Sequence, residues 1–200
     1  MTGDRKNQII EEAARLFSRF GFRQVTIKQL AETCGITEPA VYRHFASKEA
    51  LYDAVLDTLQ ERLEFNDLFM RLETEPQLAA ILTELACHIM ALLDKHQDLY
   101  RLFLFSALYE HDKARQLFRS IRGPYVTFLN GQLIRLAREG KIVETSSEIT
   151  ARCFVGMVFD WALGASLWKE LQGKSFSSEE LIANNLPIFL YGLSVREAGK

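Results

Sequence analysis

The stretch TIKQLAETCGITEPAVYRHFASK, Thr26 to Lys48, limits the possible folds of this chain more than any other. Thr26 followed three residues later by Gln29 is a capping box, in which hydroxyl and amide each satisfy a backbone donor at a helix start. Gly35 stops that helix, because glycine enters the left-handed turn conformation without strain. A second short helix is predicted from Thr37, with Pro39 in its first turn, where a missing N–H costs nothing. Ser47 then caps a third helix beginning at Lys48. Two short helices about a glycine-bearing turn make a helix-turn-helix. Ala31 is small where the pair must cross, and Leu30, Ile36, Val41 and Phe45 are apolar where it must rest on a core. Thr37, Glu38, Ala40, Tyr42 and Arg43 are left facing outward. A polar, aromatic and basic face on so short a helix suits the major groove of DNA.

The pattern continues on both sides, as IIEEAARLFSRFGFRQVTIKQLAETCGITEPAVYRHFASKEALYDAVL, Ile9 to Leu56. Its markers are AARLF, the GF before Thr26, the LAE…CGI turn and VYRHFASKEAL, all in one fixed register. This run resembles the N-terminal domain of the TetR family of bacterial transcriptional regulators. It covers about a quarter of the chain; beyond Leu56 the resemblance is one of layout only, helical and apolar. The resemblance implies a helix-turn-helix DNA-binding domain over residues 1–47 and a helical effector-binding and dimerisation domain over 48–200, with the helix from Lys48 as connector. It also implies a homodimer that binds a palindromic operator.

Composition agrees with an all-α fold of about nine helices: four Pro and 11 Gly are few among 200 residues, and strand-like alternation is scarce. The net charge of −2 argues against a chain that coats nucleic acid indiscriminately. Its distribution says more: residues 1–50 sum to +2 and the remainder to −4, a mildly basic head on an acidic body. Cys34, Cys87 and Cys153 are odd in number, far apart and without a CxxC pair, which reads as reduced thiols in the cytoplasm. Cys34 lies in the turn, where a redox role is conceivable, but free cysteine is mostly a small buried hydrophobe. No signal peptide is read, and the longest apolar stretch, Cys153 to Trp168, is broken by Asp160 and too short to span a membrane.

In chain order, a first helix is predicted over Lys6–Phe20, with Ile9, Ala13, Leu16, Phe17 and Phe20 as its apolar stripe and Gly21 as its stop. The helix from Lys48 is predicted to reach Arg71. Further helices are expected over Pro76–His96, Asp98–Tyr109 and Ala114–Glu139, the last kinked or divided at Gly123-Pro124. Thr145 with Glu148 forms a capping box that opens a helix to Leu171, and Ser177 with Glu180 opens another to Leu193, bent at Pro187.

The DNA contacts follow from the helix from Thr37, which enters the groove by its first residues. Thr37, Glu38, Pro39 and Ala40 lie near base edges; Glu38 can accept from a cytosine amino group and Ala40 can touch a thymine methyl. Arg43 reaches a base or a phosphate, while Tyr42 and His44 suit phosphate, as the resembling family positions imply. Lys48, with the opening of its helix, is a second phosphate anchor; Thr26 and Lys28 form a third. The plainer reading is that Thr26 and Ser47 only cap, His44 is only exposed and Glu38 only complements a helix dipole.

The resemblance places a small-molecule effector among the middle helices of the body. Fourteen Phe, six Tyr and two Trp fit an aromatic-lined cavity and equally a plain core. Candidates are Phe65, Phe69, His88, Phe103, Tyr125, Phe128, Asp160 and Trp161. His88 lies on the apolar stripe of its helix and should point inward. Asp160 sits within FVGMVFDWALGASLW, where an unpaired charge would be costly; it meets a ligand, an arginine such as Arg122 or Arg135, or a subunit partner. Gly156, Asp160 and Gly164 recur every fourth residue and invite another helix to approach closely. With Trp168, Leu186, Phe189 and Leu190 they mark two helices able to pair with their copies as a four-helix interface, or to close on the core as a terminal hairpin.

The reading is a ligand-responsive, homodimeric, cytoplasmic repressor, released from its operator by an effector. Activation is an open alternative, since operator position decides it. A helical carrier of a hydrophobic molecule is the rival, and it leaves the outward face at Thr37–Arg43 without a purpose. An enzyme is not expected, for the chain has no nucleophile–base order, phosphate loop or HxxxH and HExxH spacing. No cofactor or metal is expected.

Overall fold

The computed structural model describes residues 2–61, 65–97, 101–102, 112–167 and 176–194. Among them lie nine helices and no strand: α1 (Thr2–Phe20), α2 (Ile27–Thr33), α3 (Glu38–Tyr42), α4 (Lys48–Glu61), α5 (Asn66–Leu72), α6 (Leu78–Lys95), α7 (Asp112–Arg138), α8 (Ser147–Leu167) and α9 (Ser178–Leu193). The all-α expectation holds. The chain forms two compact units, Met1–Leu63 with His96–Ile121, and Glu64–Lys95 with Arg122–Lys200.

In the first unit α1 turns Ile9, Ile10, Ala13 and Phe17 inward and packs along α4, whose Leu51, Tyr52, Val55, Leu56 and Leu59 are buried. α2 adds Ile27, Leu30 and Ala31, and α3 adds Val41. A bundle this small gains by sharing one core among four helices, since short helices bury too little surface alone. Phe20 departs from its predicted inward stripe and is 48% exposed. It is the last residue of α1, and Gly21 at φ +78° turns the chain away just after it.

The single helix predicted from Lys48 to Arg71 is two helices. α4 ends at Glu61 and α5 starts at Asn66, with residues 62–64 outside the described set. Asn66-Asp67 accounts for the restart: short polar side chains compete with helical hydrogen bonds in a helix interior and favour its opening turn. α4 therefore lies wholly within the first unit.

In the second unit α6 packs against both α8 and α9. Ile81, Leu82, Leu85, Ile89 and Leu93 of α6 meet a core completed by Leu129, Leu133 and Leu136 of α7 and Phe154, Val155 and Val158 of α8. Arg135 ties α7 to the α5–α6 connection by donating to the Glu75 carbonyl at 2.6 Å and to Gln132 Oε1 at 2.6 Å. The Val143 amide donates to the Leu193 carbonyl at 2.9 Å, fixing the α7–α8 connection to the end of α9.

α7 is not divided at Gly123-Pro124; it runs through both. Proline removes one helical hydrogen bond, and the burial of Ile121, Tyr125, Val126 and Leu129 on either side offsets that loss. α9 likewise continues through Pro187. The Thr145 capping box does not form. α8 opens two residues later, at Ser147, and the Ser146 carbonyl accepts from the Thr150 amide at 2.9 Å. Glu148 turns instead to Arg152, one helical turn on, at 2.8 Å. The Ser177 box forms as expected, with Ser177 Oγ accepting from the Glu180 amide at 3.2 Å and Glu180 Oε2 from the Ser177 amide at 2.7 Å. The helix expected over 98–109 and the end of the one expected to reach Leu171 lie outside the described residues.

Candidate nucleic-acid interface and aromatic cluster

The helix-turn-helix is built by local hydrogen bonds. Thr26 Oγ1 accepts from the Gln29 amide at 3.1 Å while Gln29 Oε1 accepts from the Thr26 amide at 2.9 Å. The turn closes with the Gly35 amide on the Glu32 carbonyl at 3.1 Å and the Ile36 amide on the Ala31 carbonyl at 2.9 Å, Gly35 standing at φ +65°. Thr37 is the N-cap of α3, yet its hydroxyl makes no capping bond. Val41 and Phe45 are buried, and this rotates the opposite side of α3 into solvent. Thr37, Glu38, Pro39, Tyr42 and Arg43 are exposed; Ala40 and His44 are half-buried. Tyr42 is 50% exposed, a large aromatic with its ring in water.

Beside this face, Ser47 Oγ accepts from the Ala50 amide at 3.0 Å and starts α4. The Lys48 ammonium sits 4.4 Å from the centroid of the Phe22 ring. Partial burial lowers the Lys48 pKa, and the neighbouring Glu49 carboxylate pulls it back up. Lys28 is exposed in the first turn of α2. Cys34 is buried, and burial first, then the Glu12 charge, pushes its thiol up, so the thiolate needed for redox chemistry is disfavoured there. Cys87 and Cys153 are exposed, against the buried default.

In the second unit, five of the aromatic-cluster candidates come together. Tyr125 is fully buried at the centre. Phe65 and Phe69 meet it edge-on, at 5.3 and 5.8 Å between centroids. Phe69 stacks on Phe128 at 4.8 Å and lies parallel to Phe65 at 6.1 Å. The Tyr125 hydroxyl is 2.7 Å from His88 Nδ1, so the inward histidine is satisfied by a neighbour. Burial raises the Tyr125 phenol far above its ordinary range, so it stays protonated. Phe159 closes the group, 6.3 Å from Tyr125, and the Arg122 guanidinium lies 5.9 Å from the Phe159 ring.

Other candidates are placed apart. Phe103 and Trp168 lie outside the described residues. Trp161 is half-buried, two residues and some 200° of helix turn from Phe159. Asp160 is exposed within the protomer, while Phe154, Val155 and Val158 are buried toward the other side of α8. Arg135, one partner considered for it, engages Gln132, Glu139 and the Glu75 carbonyl. Gly156 does leave room for an approach, but the group that uses it is Arg122 of the same chain: a Cβ there would come 2.7 Å from its Nη2. Gly164 is buried. Leu186, Phe189 and Leu190 are half-buried, with Phe189 edge-on to Phe154 at 5.3 Å. On the same two helices Ile149, Ile188 and Tyr191 are 62%, 64% and 77% exposed, apolar groups that the sequence pattern did not single out.

Residues 9–55 match the family model described as bacterial regulatory proteins, tetR family. The chain carries the TetR-family DNA-binding domain. The α3 face described above lies inside that matched segment. Sequence similarity extends past that head. The nucleoid occlusion factor SlmA of Aliivibrio fischeri is 27% identical over 161 residues, 78% of this chain and 80% of that protein. The whole fold is shared with a putative transcriptional regulator from Saccharomonospora viridis, solved in complex with choline, at a TM-score of 0.74 and 16% identity, over 97% of this chain and all of that one. It is shared also with AibR, solved with isovaleryl coenzyme A and operator DNA, at a TM-score of 0.66 and 21% identity, over 92% and 97% of the two chains.

Two features of the structure escaped the sequence. Phe22 was read only as part of a GF marker, and its contact with Lys48 spans two helices and a turn. Phe159 lies in a helix so apolar that periodicity does not name its inner face. Among the described residues no three His, Cys, Asp or Glu side chains gather to hold a metal, and no helix is long and apolar enough to cross a membrane.

Proposed function

We propose that this chain is a cytoplasmic transcriptional regulator acting as a homodimer, which binds a palindromic operator through α3 and releases it when a small molecule occupies the second unit. The exposed face of α3 carries the reading. Thr37, Glu38, Tyr42 and Arg43 have no core to serve, and a carrier of hydrophobic molecules would have no use for them. Glu38 and Ala40 address base edges; Tyr42, His44 and Lys48 address phosphates, with Lys28 and Thr26 at the start of α2. Thr26 already caps α2, so any phosphate contact adds to that role.

The effector is assigned to the aromatic group on α5–α8, where the half-buried Phe65, Phe69 and Phe128 offer ring faces and the His88–Tyr125 pair offers a polar handle. Ligand complexes among proteins of this fold support that assignment. Release requires that the effector bind the DNA-incompetent state better than the competent one. The exposed Ile149, Ile188 and Tyr191 suit a two-fold pairing of α8 and α9 with their copies.

The test is binding to the DNA upstream of the chain's own gene, titrated in salt. Specific binding with a footprint of two half-sites, falling steeply as salt rises, is expected, because each neutralised phosphate releases counterions. Tyr42→Ala is expected to abolish it with helical circular dichroism intact. Loss of the helical signal in that variant would assign Tyr42 to the core instead.

A further inference from the structure

Lys48 is the first residue of α4, where the helix dipole disfavours a cation; the acidic Glu49 beside it is the usual choice there. A local preference broken at a half-buried position marks a place where something else sets the residue. That something is visible in the first unit. Phe22 occupies the connection between α1 and α2, and its ring lies 5.7 Å from Phe17 and 4.8 Å from Tyr52. Phe17 and Tyr52 are themselves edge-on at 5.2 Å and almost wholly buried. Two core rings thus flank the Phe22 ring. Tyr52 is one helical turn beyond Lys48, so both project from the same side of α4. The Phe22 ring also receives the Lys48 ammonium at 4.4 Å, inside the range in which the ring quadrupole attracts a cation.

We propose that Phe22 is the positioning residue for phosphate contact by Lys48: its ring holds the ammonium at the opening of α4, so that a DNA phosphate meets a cation already in place beside the first-turn N–H groups. A lysine has three rotatable donors on a flexible stem and loses much freedom when fixed. Fixing it before DNA arrives moves that loss from binding to folding, and raises affinity by preorganisation. The inference rests on the DNA-binding reading above.

The experiment uses the full chain and a duplex of its own upstream DNA, with variants Phe22→Leu, Phe22→Tyr, Lys48→Met and the Phe22→Leu/Lys48→Met pair. Phe22→Leu is expected to weaken binding about two- to fivefold, the span that exposed cation–ring contacts imply. It should have no further effect in the Lys48→Met background, and Phe22→Tyr should restore wild-type affinity. Without DNA, the Lys48 ε-methylene protons should show a ring-current shift that Phe22→Leu removes. Equal losses in both backgrounds, or an unchanged ε-methylene shift, overturns the proposal. Wild-type binding without salt dependence overturns the DNA reading as well, so the two failures differ. Should Phe22→Leu lose its helical signal, a multiply fluorinated phenylalanine at 22 keeps the ring's shape, removes its negative face and carries the same comparison.

Discussion

Gly35 shows how much of the head depends on one dihedral angle. It stands at φ +65°, and a Cβ built there meets nothing within 4 Å. Space is therefore not the constraint, and backbone conformation alone is. Gly35→Ala is expected to destabilise the protein by about 1–2 kcal/mol, the cost of a non-glycine residue in the left-handed region. Urea unfolding measures it directly, and an unchanged midpoint would mean the turn relaxes to another conformation. Tyr42 is the converse case. Its ring is half in water, so its truncation should leave stability within about 0.5 kcal/mol while removing DNA contact. Side chains whose role is outward were legible because exposure follows from the register of their short helix. Asp160 is less legible for a related reason: α8 is apolar nearly throughout, so its sequence does not say which narrow strip meets water. The structure leaves Asp160 on that strip, where no desolvation cost arises.

Elements were legible where their signals were local. The Thr26–Gln29 and Ser177–Glu180 boxes and the Gly35 turn are short-range devices, and each formed where its spacing put it. The break between α4 and α5 was missed because apolar residues on both sides kept helical spacing, and only Asn66-Asp67 marked the restart. The cap of α8 was missed because only Thr145 stands three residues before an acidic side chain, and that side chain, Glu148, had a competing partner in Arg152. The end of α7 offers a measurable element-scale effect. Its last turn carries Arg135 and Arg138, and Glu139 follows as the helix gives way to Gly140 at φ +69°. Glu139 accepts from Lys141 at 2.7 Å and from Arg135 at 3.2 Å, and these bonds, Lys141's first, hold its carboxyl below the usual range. A depressed folded pKa stabilises the fold above the unfolded value and ceases to do so as pH falls through the folded one. Glu139→Gln is thus expected to lower Tm slightly near neutral pH and to match the wild type in acid. The group is exposed, so the difference should also shrink with salt. A gap that persists in acid would assign the effect to the shape of the turn.

At the scale of the whole molecule, the proposed association would set how the head works. One α3 contacts a single half-site, and a short helix with a few phosphate anchors binds weakly alone; two heads on one dimer bind with the effective concentration that a fixed partner supplies. The surface best suited to provide that partner is on α8 and α9, where Ile149, Ile188 and Tyr191 stand in water. Monomeric proteins expose single apolar residues routinely, and three large ones on these two helices are the ground for proposing an interface there. The small-residue spacing points to another part of α8, where Gly156 lies against Arg122 of the same chain and Gly164 is buried. Ile188→Glu with Tyr191→Glu places charges where an apolar contact is expected, and exposure at both sites should leave the folded protomer intact. Sedimentation is expected to give a monomer for the pair and a dimer for the wild type. The paired variant should then lose specific operator affinity by at least about tenfold, at the low end of the gain that bivalent engagement gives. A variant that stays dimeric moves the interface elsewhere. A variant that becomes monomeric and keeps full affinity removes dimerisation from the mechanism and leaves each head to bind alone.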